Sequence, residues 1–145
     1  MKPINFFAVL AMSLMLTSCY GQDKNKPSSL DGSISKIEVL DFHSTHRCMT
    51  CNAIEANTKY TLETYFAKEL KDNKITFQVI NVDEKENGNI AEKFEASGTS
   101  LFLNVIKNGK ETKVNLTDFA FMNGLDQEAF SKELKAKINA ELKTL

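Results

Sequence analysis

Two cysteines separated by two residues, Cys48-Met49-Thr50-Cys51, stand at a junction between two periodicities, and that junction restricts this chain more than any other feature. Upstream, Ile37-Glu38-Val39-Leu40-Asp41-Phe42 is short, apolar and β-branched, the composition of a buried strand. Downstream, from about Asn52 to Lys71, Ile54, Thr58, Leu62, Tyr65, Phe66 and Leu70 recur every three or four residues, which predicts an amphipathic helix. The first turn of a helix carries N–H groups without intrahelical partners, and these favour a thiolate over a thiol. A thiolate is the form that attacks disulfides or binds soft metals. A crosslink between Cys48 and Cys51 would close too small a loop to brace a fold, since the entropic benefit grows with loop length. The pair therefore points to redox or metal chemistry rather than to a structural staple.

The rest of the pattern alternates strands with helices. Ile75 to Val82 reads as a second strand, and Asn87 to Glu95 as a weak helix with Ile90, Ala91 and Phe94 on one side. Leu101 to Lys107 is a third strand. It meets Asn108-Gly109, whose tolerance of positive φ favours a tight hairpin into Lys110 to Leu116. A last helix opens on Asp126 as N-cap and carries Phe130, Leu134, Ile138 and Leu142 at four-residue steps. Leu116 to Met122 is apolar without clean alternation and reads as a connecting segment packed on the sheet. Two strands joined through a helix imply a right-handed parallel crossover, and the hairpin adds an antiparallel edge.

The N-terminus carries a different signal. Lys2 precedes an apolar run from Phe6 to Leu16, which suits the core of a secretory signal over residues 1–18 and is short for a membrane span. Leu16-Thr17-Ser18-Cys19 resembles the lipobox of bacterial lipoproteins, which implies that Cys19 becomes the lipidated first residue; the alternative is an ordinary signal peptide that leaves Cys19 a free thiol. Lipidation would leave one pair from the three cysteines. Residues 19–33 are rich in Gly, Asn, Lys, Ser and Asp with Pro27 and read as a flexible tether, leaving 34–145 as one domain. The expected location is the bacterial cell envelope, lipid-anchored and facing the periplasm. The outer membrane is favoured over the inner because Tyr20, not aspartate, follows Cys19. With 18 basic and 19 acidic residues and no basic run, nothing suggests nucleic acid. The chain is expected to act as a monomer on a protein thiol or disulfide partner.

This order of elements, with a two-cysteine motif after the first strand, resembles the thioredoxin fold over nearly all of 35–145. Leu40-Asp41-Phe42 looks like the strand end that carries a buried acid there, and Lys107-Asn108-Gly109-Lys110 like its terminal hairpin turn. The resemblance implies a three-layer α/β/α sandwich around a mixed sheet of about four strands. The stretch from Phe42 to Cys51, with Leu116-Thr117-Asp118-Phe119-Ala120, is more specific: it is similar to the ArsF-type family of thioredoxin-like proteins, labelled subunits of a nitrophenyl-compound nitroreductase. Nitro reduction needs a flavin or comparable cofactor, and the chain carries no dinucleotide fingerprint, so no cofactor is expected. Two features depart from thioredoxins. Gly98-Thr99-Ser100-Leu101 puts Ser100 where they carry a cis-proline, and the loop before Cys48 is one residue longer.

The resemblance implies roles. Cys48 is the nucleophile, Cys51 resolves the mixed disulfide, and Asp41 is a buried proton acceptor or, alternatively, an exposed strand-end acid. Arg47 would lower the pKa of Cys48. Ser100 and Thr99 would line the substrate groove. A second reading takes His43, His46, Cys48 and Cys51 as two imidazoles and two thiols for zinc, copper or arsenite. A third is a non-catalytic adaptor docking to a partner enzyme.

Overall fold

Alternation along one strand sets the layering. The computed structural model describes residues 35–145; the signal segment, Cys19 and the tether lie outside the described residues. β1 (Lys36–His43) has neighbours on both sides. Successive side chains point to opposite faces, so Ile37, Val39 and Asp41 take one face while Leu40 and Phe42 take the other. β2 (Ile75–Asn81) lies parallel to β1 with Ile37 opposite Ile75. β3 (Ser100–Lys107) runs antiparallel on its other side with Phe42 opposite Ser100, and β4 (Lys110–Asn115) completes the order β2-β1-β3-β4. This mixed four-stranded sheet, with helices on both faces, is the thioredoxin-like α/β fold expected from the sequence. The hairpin turn needs positive φ at both central residues, and Asn108 (φ 51°) and Gly109 (φ 75°) supply it.

The larger core lies on the Ile37 and Val39 face. α1 (Met49–Tyr65) contributes Ile54 and Leu62, and α5 (Gln127–Leu142) contributes Phe130, Leu134 and Ile138. Each of the three α5 side chains is fully buried, a gain of about 1.5–3 kcal/mol apiece. Asp126 caps α5 as expected, accepting the Ala129 N–H at 3.0 Å. On the opposite face α3 (Gly88–Phe94) covers a smaller cluster of Leu40, Phe42, Ile80, Phe94, Ala96 and Phe102.

Two elements differ from the sequence expectation. The helix expected to run on to Lys71 breaks at Phe66, whose φ of −132° ends α1; α2 (Ala67–Lys71) follows. Phe66 and Leu70 still pack on the core, so the apolar period persists across the break. The segment read as a connector is instead helical, α4 (Thr117–Asn123), with Phe119 and Ala120 buried.

Candidate functional site: a dithiol over a buried carboxyl

α1 begins at Met49, earlier than its apolar pattern, because Cys48 serves as the N-cap. Cys48 has extended backbone angles, and its Sγ accepts the Cys51 N–H at 3.1 Å. Sulfur thus occupies the place usually taken by a cap oxygen, where the helix dipole and an unpaired N–H both favour negative charge. No acidic residue lies in the first turn of α1 to oppose that field. Cys48 and Cys51 are joined as a disulfide with Cα atoms 5.1 Å apart. The two sulfurs are unequal: Cys48 is exposed, whereas Cys51 is only 7% exposed.

The loop leading to Cys48 is pinned to the end of β2. Thr45 N–H donates to Asp83 Oδ2 at 2.7 Å, and Asn81 Nδ2 donates to Thr45 Oγ1 at 3.2 Å. The Thr45 bond holds the Asp83 carboxyl below the usual carboxylate range. The extra length of this loop is therefore anchored, and it delivers Arg47 inward.

Arg47 hydrogen-bonds two acceptors and stands within ion-pair distance of a third. One terminal nitrogen, Nη1, pairs with Glu55 Oε2 of α1. The other, Nη2, donates to the Cys51 carbonyl at 3.3 Å and lies 3.9 Å from Asp41 Oδ2. Asp41 is fully buried, and among the described residues neither of its oxygens has a hydrogen-bond partner. Burial pushes its carboxyl up to about 7, against the pull of Arg47 and with the help of Glu55. A carboxyl balanced near neutrality can hold or release a proton at working pH, the property needed in a group that serves a thiol.

The remaining sequence candidates are placed as follows. His43 ends β1 half-buried, its Nδ1 donating to the Ser44 carbonyl at 2.9 Å, and His46 is exposed on the loop. Among the described residues no group of three or more His, Cys, Asp or Glu side chains is gathered to hold a metal ion. Thr99 lies half-buried in the bend before β3. Ser100 is joined to it through a trans bond, as all described peptide bonds are trans. Its hydroxyl donates to the Gly98 carbonyl at 3.1 Å, and its side chain shares the face of Phe42 and Phe102, opposite to that of Asp41. The structure thus brings Asp41, Arg47, Cys48 and Cys51 together and leaves Ser100 on the other side of the sheet.

Glu55 belongs to this group and was not singled out from the sequence. Its signal is spacing: it lies one helical turn beyond Cys51, on the same side of α1. The floor of the site is tightly packed as well. A Cβ on Gly124, just after α4, would come within 2.8 Å of the Ala120 carbonyl and 3.0 Å of Thr50 Cγ2, and the Gly124 carbonyl accepts from Asn57 Nδ2 at 2.9 Å.

No family model matches this chain, and no curated relative does. Solved structures similar to it include three thioredoxins. That of Fasciola hepatica is 21% identical, covering 73% of this chain and 81% of its own, with a TM-score of 0.44. Thioredoxin NaTrxh from Nicotiana alata is 24% identical over 74% of this chain and 75% of its own, with a TM-score of 0.46. Mitochondrial thioredoxin 3 from Saccharomyces cerevisiae, in its oxidized form, is 21% identical over 63% and 78%, with a TM-score of 0.41.

Proposed function

We propose that this chain is a thiol–disulfide exchange protein of the bacterial cell envelope, lipid-anchored at Cys19 and acting on a protein partner, and that it is a member of the ArsF-type thioredoxin-like group. The observation that carries the chemistry is the asymmetry of the pair: an exposed Cys48 sulfur capping a helix, and a buried Cys51 linked through Arg47 to a buried carboxyl. The group assignment and the anchor rest on the sequence features around Phe42–Cys51 and Leu16–Cys19.

In the reducing direction, the Cys48 thiolate attacks one sulfur of a partner disulfide. A Cys48–partner bond forms, the partner S–S bond breaks, and the departing sulfur leaves as a thiolate that takes a proton from solvent. The Cys51 thiol then passes its proton to the Asp41 carboxylate, and the resulting thiolate attacks Cys48 Sγ. The mixed disulfide breaks, the second partner sulfur leaves as a thiol once protonated, and the Cys48–Cys51 disulfide is restored. Two electrons have moved from this chain to the partner, and the reverse sequence oxidises a partner dithiol. Asp41 suits the proton step because it can exist in both forms near neutral pH.

Separating the two sulfurs tests the reading. Cys51→Ser, expressed in the native envelope, should accumulate a mixed disulfide with the partner on a non-reducing gel, whereas Cys48→Ser should form none and lose exchange activity. Adducts on Cys48→Ser alone would reverse the roles, and adducts on neither variant would defeat the exchange reading. The anchor is checked separately by intact mass and detergent partitioning, and an unmodified Cys19 would remove it.

A further inference from the structure

Asp41 is a buried acid in a long ion pair with a guanidinium, yet no hydrogen bond joins the two. Its nearest cation atom, Arg47 Nη2, stands 3.9 Å away, beyond hydrogen-bond reach, and both carboxyl oxygens are buried without hydrogen-bond partners among the described residues. Buried Arg–carboxylate pairs ordinarily close to two parallel hydrogen bonds. Here the fork is occupied elsewhere: Nη1 is held by Glu55 and Nη2 by the Cys51 carbonyl, while the buried Arg47 Nε also lacks a partner. The charged groups that bear on Asp41 are Arg47, from the loop, and Glu55, from α1. Its partners across the sheet, Val79 of β2 and Leu101 of β3, are apolar.

We propose that Glu55 is a positioning residue: by holding the Arg47 guanidinium on α1, it keeps that cation out of hydrogen-bond reach of the buried Asp41 carboxyl beside the dithiol. The side-chain contact of Glu55 in this site is with Arg47. It acts through Arg47, and the grip on the Cys51 carbonyl makes the same guanidinium a strut between the resolving cysteine and the acid. Releasing Arg47 would let it swing onto Asp41 and fix that group as a carboxylate. A carboxylate held in that way is a weaker base, so it would take the Cys51 proton less readily and the resolving step would slow near neutral pH. The proposal deepens the exchange reading and rests on it for its functional meaning, while its physical content concerns Asp41 alone.

That content can be measured without any thiol chemistry. In the oxidised full chain, carboxyl-carbon NMR follows the Asp41 titration directly. Glu55→Ala is expected to lower its midpoint, and Arg47→Met to raise it, each by about half a pH unit or more, a size typical of one nearby charge. Removing the Glu55 charge also removes a direct repulsion, so the double variant decides. If Glu55 acts by holding Arg47, Glu55→Ala made on top of Arg47→Met shifts the midpoint by less than about half of what it does alone. An equal shift in both backgrounds, or no shift in Glu55→Ala, would overturn the proposal. Should Arg47→Met fail to fold, Arg47→Lys substitutes, since a single ammonium has no fork to divide between partners, and the same comparison applies. Loss of exchange in the cysteine variants would leave these titrations readable, so the two readings fail separately.

Discussion

On the α3 side of the sheet, Phe42, Phe94 and Phe102 meet ring to ring with centroids 5.3–5.9 Å apart, an apolar cluster drawn largely from the strands. On the other side, β1 presents Ile37 and Val39 and then, at the same depth, Asp41. That side also buries Asn57, Thr58, Thr61 and Ser131 between α1 and α5. One strand thus serves two ends. Leu40 and Phe42 build the smaller core on one face, while on the other Ile37 and Val39 build the larger one and Asp41 brings a destabilising group beneath the dithiol. Buried polar groups cost free energy unless they are hydrogen-bonded, so Asp41, whose oxygens accept no hydrogen bond among the described residues, marks where stability is given up.

The sharpest way to break this division is Phe42→Ala. It should destabilise the protein by about 3–5 kcal/mol, the usual cost of emptying a buried phenylalanine site. The Asp41 titration midpoint should stay where it is. Urea unfolding reads the first quantity and carboxyl NMR the second; a displaced midpoint would mean that the two faces are not independent. The next effect has the opposite sign. Asp41 is raised from 3.8 to about 7 in the folded protein, so the fold binds this proton more tightly than the unfolded chain does. That contribution to stability is therefore fully present below about pH 4 and is lost as pH rises through about 7, on the order of 4 kcal/mol at about 1.4 kcal/mol per pH unit. Asp41→Asn, followed by urea midpoints on the oxidised protein, should flatten that slope and stabilise the fold at neutral pH while slowing the resolving step. A slope that survives in Asp41→Asn would assign it to other groups.

A smaller effect probes the polar seam beside the site. The Thr61 hydroxyl lies 2.7 Å from the Asn57 carbonyl and 2.9 Å from Ser131 Oγ, all buried. Thr61→Val should cost about 1–2 kcal/mol by leaving those partners unmet, and adding Ser131→Ala should recover part of it. Full additivity of the two substitutions would show that the hydroxyls do not act as a pair.

Most of the scaffold was legible in the sequence because its signals are local. The β-branched run at Ile37–Phe42, the Asn108-Gly109 turn and the Asp126 cap each specify their conformation within a few residues. α4 was not legible, because seven residues give barely two turns and no side chain caps Leu116. A weaker cue existed in Asn115, whose Oδ1 accepts the Thr117 N–H at 2.9 Å and turns the chain into the helix. The break at Phe66 was hidden because an inward-facing aromatic continues the apolar period whether or not the helix does. At the site, the dithiol could be read from its place between strand and helix, and Asp41 only through the resemblance, with an exposed strand-end acid as the alternative. Glu55 could not, since its meaning depends on where the loop sends Arg47, eight residues away in the chain.

Gly124 carries a consequence for how this sequence can vary. Its backbone is in the ordinary right-handed region (φ −57°), so glycine is not needed there for its flexibility. The constraint is the space left by the Ala120 carbonyl and by the methyl of Thr50, inside the dithiol motif itself. Related sequences that carry a larger residue at position 124 should therefore carry a shifted end to α4, together with a smaller residue at position 50. Of the two residues between the cysteines, Met49 is open to a passing partner, whereas Thr50 is in this chain partly chosen from below.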